Sequence, residues 1–117
     1  MELVHTDKDK EFLHKLLQII EANIHDTELD VDFLCQNLFT SRTKLYQKIN
    51  AVTGQSVGEF IRTVRLKKAV HIMTHEDVTL YEVIDRIGIQ SISYFSRAFK
   101  MEFGESPSQF VKNLRNK

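Results

Sequence analysis

Apolar side chains recur along this chain every three or four positions, the spacing of a helical face rather than the alternation of a strand. Phe12, Leu16, Ile20 and Ile24, with Leu13 and Leu17 beside them, form one stripe and predict a first helix from about Asp9 to His25. Residues 26–30 are polar and read as a connection. Phe33, Leu34, Cys35 and Leu38 predict a short helix from Val31 to Leu38 with those four facing in. Leu45, Ile49 and Val52 predict a third, from Arg42 to Thr53. A long fourth helix, Val57 to Thr74, buries Phe60, Ile61, Val64, Ala69, Ile72 and Met73. A short fifth runs from Leu80 to Ile87. A sixth, Ile92 to Phe103, turns Phe95, Phe99 and Phe103 inward, and a seventh runs from Pro107 to Leu114. The pattern predicts an all-α protein of seven helices.

Polar punctuation agrees with these limits. Ser56-x-x-Glu59 and Thr79-x-x-Glu82 are capping boxes, and Ser106-Pro107-Ser-Gln109 places proline at a first helical position. The chain also repeats itself. Shifted by 50 residues, 41–61 lies without a gap on 91–111. Ser41 matches Ser91, Leu45 matches Phe95, Ile49 matches Phe99, Gly54 matches Gly104, and Ser56 matches Ser106. The matched positions are caps, buried anchors and helix ends. The unmatched ones point outward: Arg42, Thr43, Tyr46 and Gln47 in one copy, Ile92, Ser93, Ser96 and Arg97 in the other, with Lys44, Lys48 and Lys100 flanking. The predicted layout is a flexible segment 1–8, a first helix-turn-helix subdomain with its leading helix over 9–56, a linker helix over 57–75, and a second subdomain over 76–117.

Charge gives the repeat a meaning. The net charge is zero, but it is unevenly spread. Residues 1–40 carry nine acids and three bases, and residues 41–72 seven bases and one acid. Residues 73–96 return to a net of −3 and residues 97–117 to +3. Each copy of the repeat is therefore basic. A basic scaffold used twice, with different outward donors, suits a ligand that itself repeats, and duplex DNA is such a ligand.

Other chemistry is thin. The 117 residues are 42% hydrophobic, enough for one small core or two, and no stretch approaches the roughly 18 apolar residues of a membrane span. The single cysteine, Cys35, excludes an internal disulfide and fits a reducing compartment, so the expected location is the cytoplasm. His71 and His75 stand at i and i+4, a spacing that can hold zinc, but Ile72 stands where a metalloprotease pattern needs Glu. They read as helix-end histidines favoured by the dipole. No phosphate loop or nucleophile motif is present. The chain is read as not an enzyme, with no metal site and no cofactor.

Ile87-Gly88-Ile89, then Ser93-Tyr94-Phe95-Ser96-Arg97-Ala98-Phe99-Lys100, then Phe103-Gly104-Glu105-Ser106-Pro107-Ser108-Gln109-Phe110 resemble the signature of the AraC/XylS family of bacterial transcription regulators. Phe60-Ile61-Arg62, Arg65-Leu66-Lys67-Lys68-Ala69 is similar to that family's linker helix. The first copy, with Glu21-x-Asn23-Ile24-x-Asp26 ahead of it, looks like the output domains of hybrid two-component regulators. The resemblance implies sequence-specific binding of double-stranded DNA by two helix-turn-helix modules in successive major grooves, regulating transcription. Carried over by position, Thr43, Tyr46, Gln47, Ile92, Ser93, Ser96 and Arg97 are the base-edge candidates. Arg42, Lys44, Lys48 and Lys100 are the phosphate candidates, with backbone N–H groups at the helix starts. It further implies RNA polymerase and a receiver domain of the parent chain as partners. Sensor and histidine kinase parts would stand upstream, no membrane contact would come from this part, and it would be a monomer that pairs in the full-length protein. The chain departs from the family in having Cys35 and Ile84 where Ala is usual, Ile89 where Phe is usual, and Phe39 where the first turn has Gly. That turn must therefore avoid a left-handed residue or strain one. The alternative reading is a helical protein-interaction module, which would expose an apolar patch.

Overall fold

The computed structural model describes residues 6–116. Its regular elements are α1 (Asp7–Ala22), α2 (Val31–Leu38), α3 (Arg42–Thr53), α4 (Val57–His75), α5 (Leu80–Arg86), α6 (Ile92–Phe103) and α7 (Pro107–Arg115). Among the described residues there is no strand, and the all-α, seven-helix reading holds. The limits of α2, α3 and α6 are those predicted, and the other helices differ at their ends.

The largest difference is α1. It begins two residues early because Thr6 caps it. The Thr6 hydroxyl accepts from the Asp9 N–H at 3.1 Å, and the Asp9 carboxylate accepts from the Thr6 N–H at 3.2 Å. The apolar stripe gave no hint of this turn, which is polar. Residues 6–8 are thus cap and helix rather than a flexible segment, while residues 1–5 lie outside the described residues. α1 also ends at Ala22, where the Asn23 amide side chain donates back to the Ile19 carbonyl at 2.8 Å. Such a local side-chain bond competes with helix continuation.

Backbone contacts divide the chain into two compact units, residues up to 24 with 28–64, and 25–27 with 65–117. α4 is unbroken and supplies residues 57–64 to the first and 65–75 to the second. It opens with the predicted capping box, Ser56 Oγ accepting from Glu59 N–H and Glu59 Oε1 from Ser56 N–H.

In the first unit Leu16 and Ile20 of α1 pack with Leu34 of α2, Leu45 and Ile49 of α3, and Phe60 and Val64 of α4. Phe33, Cys35 and Leu38 are only half buried around this core, and Leu34 is the fully buried residue of α2. The turn after α2 takes the strained option. Phe39 adopts a left-handed conformation, φ 54° and ψ 48°, and is the one non-glycine residue with positive φ among those described. Its N–H and that of Thr40 both reach the Cys35 carbonyl, closing α2 as a glycine would. The conformation costs an L-residue roughly 1–2 kcal/mol. No packing offsets that, since Phe39 is 95% exposed.

In the second unit Leu66, Ala69, Ile72 and Met73 of α4 meet Val83 and Ile84 of α5, Ile87, Ile89, and Phe95 and Phe99 of α6. Phe99 is the centre, with Phe95 and Phe110 each 5.7 Å away between ring centroids. Phe103, expected inward, meets the Phe99 ring at 4.6 Å in a tilted contact but stays exposed along one side, because it is the last residue of its helix. Ile84 is buried as well.

Arg65 is the buried charge of this unit. Its guanidinium donates to the carbonyls of Ile87 (2.9 Å), Gly88 and Asp26 (3.0 Å). Burial pushes its pKa down, opposed by the nearby Asp26 carboxylate. Arg stays charged across the accessible pH range. Replacement by Leu strands the three carbonyls, so Arg65→Leu should lower stability by about 2–4 kcal/mol in urea unfolding. Arg65→Lys should not restore it, since one ammonium cannot reproduce the planar fork. A wild-type midpoint for both variants would show that the network supports nothing.

Candidate nucleic-acid interface

Two helices of equal length, α3 and α6 with 12 residues each, carry the outward donors. Each is built the same way. Ser41 caps α3, its Oγ accepting from Lys44 N–H at 3.3 Å, and Ser91 caps α6, accepting from Tyr94 N–H at 3.2 Å. Gly54 (φ 74°) and Gly104 (φ 84°) end them in the left-handed conformation. Leu45 with Ile49, and Phe95 with Phe99, lie one helical turn apart and are fully buried.

Burying those pairs leaves a fixed outer face. On α3, Thr43, Tyr46 and Gln47 are exposed, as are Arg42, Lys44 and Lys48. Arg42 and Lys48 are already engaged. Arg42 pairs with Asp32 of α2 at 2.6 Å, and that hydrogen bond raises its pKa, with a smaller contribution from the Tyr46 hydroxyl. Lys48 Nζ lies 5.4 Å from the centre of the Phe12 ring and 4.0 Å from the Asp9 carboxylate. On α6, Ser93, Arg97 and Lys100 are exposed and Ser96 is half buried. Among the described residues neither Arg97 nor Lys100 has an ion-pair partner. Ile92 is not simply outward. It is half buried and packs against the second core, so only part of its side chain is available to a ligand.

A feature that periodicity does not reveal adjoins α3. Lys8, Phe12 and Lys15 of α1 line a cleft of about 650 Å³ together with Lys44, Lys48 and the turn residue Phe39. The seven-residue spacing of Lys8 and Lys15, which puts both on one side of α1, was the available signal. The two histidines of α4 lie one helical turn apart near its C-terminal end. Their rings meet in a tilted contact with centroids 4.3 Å apart, and His75 Nδ1 donates to the His71 carbonyl at 2.8 Å. No group of three or more His, Cys, Asp or Glu among the described residues could hold a metal ion. Nor is any described helix long and apolar enough to cross a membrane.

The family profile described as a helix-turn-helix domain matches residues 34–113. Histidine kinase P4 of Formosa agariphila is 34% identical over 109 residues, which are 93% of this chain and 8% of that protein. The chain spans 36–38% of the length of other curated regulators that it matches. Among solved structures, the C-terminal domain of AraT, a response regulator from Geobacillus stearothermophilus, is 25% identical with a TM-score of 0.78, covering 86% of this chain and 84% of that one. The DNA-binding domain of AdpA, a global transcriptional factor solved with a target DNA, has the same fold at 22% identity and a TM-score of 0.79, over 95% of this chain and 96% of that one.

The end of α6 offers a direct check on this construction. A β-carbon built on Gly104 would meet no heavy atom within 4 Å, so only backbone conformation opposes a side chain there. Gly104→Ala should therefore cost about 1 kcal/mol in chemical unfolding, and Gly104→Asn less. An unchanged midpoint for Gly104→Ala would mean that α6 does not depend on this cap.

Proposed function

The chain belongs to the AraC-type helix-turn-helix family and is a DNA-binding domain of transcription regulation; from that membership we propose that α3 and α6 are its two readers, each entering a major groove on successive turns of one DNA face. The observation that carries the reading is the repeated build of the two helices. Both have a serine cap, a glycine end, two buried anchors four residues apart and a differing polar outer face. The functional units are then subdomains over 9–56 and 76–117 joined by the linker helix 57–75.

In this reading Thr43, Tyr46 and Gln47 meet base edges in one box, and Ser93, Ser96 and Arg97, with the exposed part of Ile92, meet them in the other. Gln47 suits adenine and Arg97 suits guanine, because each can form two parallel hydrogen bonds to that base's major-groove edge. Lys44, Lys48, Lys100 and Arg42 contact phosphates, Arg42 exchanging or sharing Asp32. The domain is the output part of a longer bacterial signalling protein in the cytoplasm, with a receiver and a histidine kinase in the parent chain and RNA polymerase as a downstream partner. Support comes from the likeness to AraT's C-terminal domain and from a kinase of which the matching segment is 8%. Alone the domain is a monomer that binds weakly, since nine acids in residues 1–40 offset the basic readers. Pairing in the parent raises occupancy by linking two such domains.

Selection of sites from a random duplex pool, repeated at two salt concentrations, tests the assignment. The recovered site should contain two short boxes about 10 base pairs apart. Arg97→Ala should weaken binding by roughly 1–3 kcal/mol and relax preference in one box only. Lys48→Ala should weaken all sequences alike and lower the salt slope by about one unit. Arg97→Ala altering both boxes equally would remove the base contact. Recovery of no site would favour a protein-interaction module instead.

A further inference from the structure

We propose that the cleft between α1 and α3 seats a DNA backbone strand beside the first reader, with Lys8 and Lys15 as phosphate contacts and Phe39 as an apolar contact at its rim. The inference rests on the DNA-reading function above and adds residues outside both reader helices. Three observations converge on the cleft.

The first is Phe39 itself. It holds a backbone conformation that favours glycine, yet its ring is 95% exposed. The folded domain gains neither backbone ease nor buried area from it. A strained residue that packs against nothing in its own fold points to an external contact. It stands two residues before Ser41, the cap of α3. The amino-terminal end of the reader is where a helix-turn-helix approaches base edges and the adjoining sugar. There the ring can cover a deoxyribose face or a thymine methyl.

The second is charge. Lys8, Lys15, Lys44 and Lys48 line the cleft against a single acid, Glu11. This lies within the first 40 residues, whose overall charge is acidic. The α1 lysines flank Glu11, the one acid of the cleft, and line it together with those of α3. The Asp9 carboxylate lies 4.0 Å from Lys48 Nζ and partly balances that lysine. A polyanion is the complementary occupant.

The third is continuity. Lys44 and Lys48, placed on phosphates by the reading above, form one wall of the cleft, and Lys8 and Lys15 form the other. A strand that leaves α3 on that flank runs directly into the α1 lysines. A phosphate track shared by two helices also pins the reader's angle in the groove, which a track on one helix does not.

The test uses the full chain and a duplex carrying the selected site, titrated over a range of salt. Phe39→Gly should weaken binding about tenfold while its unfolding midpoint stays equal or rises, because glycine suits the turn. Phe39→Leu should keep part of the affinity. Lys8→Ala combined with Lys15→Ala should lower the slope of log K against log salt by about two units. Lys10→Ala removes the same charge from the same helix away from the cleft, and should leave the slope unchanged. Wild-type binding by the cleft variants while Arg97→Ala still loses its site preference would overturn this inference and leave the reader assignment standing. An effect of Lys10→Ala equal to that of Lys15→Ala would reduce the lysines to bulk charge and overturn it too. So would a lowered midpoint for Phe39→Gly, which would make Phe39 a structural residue. Absence of salt-dependent binding by the wild-type chain would remove both readings.

Discussion

Leu45 with Ile49, and Phe95 with Phe99, fix the rotation of α3 and α6 about their own axes. A 12-residue helix anchored at two positions four apart has one face committed to a core. The opposite face is then decided by helical geometry rather than by any further contact. That is why Thr43 and Gln47 stand outward on α3, and Ser93 and Arg97 on α6. It is also why the two copies can differ there without changing the scaffold. Rotating either helix by one residue would expose an aromatic or aliphatic anchor and bury a polar donor without a partner, a loss on both counts.

The two turns ahead of these helices are held differently. In the second unit Gly88 takes the left-handed position without strain, and Arg65 gathers the Ile87 and Gly88 carbonyls from the side. In the first, the corresponding left-handed residue is Phe39, closed onto the Cys35 carbonyl through its own N–H and that of Thr40. One turn is supported by a buried cation and the other tolerates strain. A strained turn with an exposed ring fits a contact made outside the fold, whereas the Arg65 network fits support from within it.

Most of the fold was legible because the anchors, caps and end glycines are local signals that agree with one another. Ser41, Gly54, Ser91 and Gly104 stand where their chemistry is needed, and the repeat made each copy a check on the other. What escaped was of two kinds. The start of α1 rests on Thr6 and Asp9, a reciprocal cap in a segment with no apolar period to flag it. Arg65 was read as one residue of a family motif, although it lies four residues from both Ile61 and Ala69 on a buried stripe. A charge on such a stripe signals an internal network, but hydropathy alone assigns it to solvent. On the candidate site, the outer face followed from the period. The half-burial of Ile92 and the α1 lysines beside α3 needed the tertiary contacts of each unit.

If α3 and α6 are both readers, the two outer faces meet DNA at once. Amide NMR of the labelled chain, titrated with a duplex bearing the selected site, measures this directly. The largest shifts should fall in residues 39–48 and 91–100, and both groups should move with the same midpoint. Shifts confined to one of the two segments, or centred on α7 with both readers silent, would contradict it.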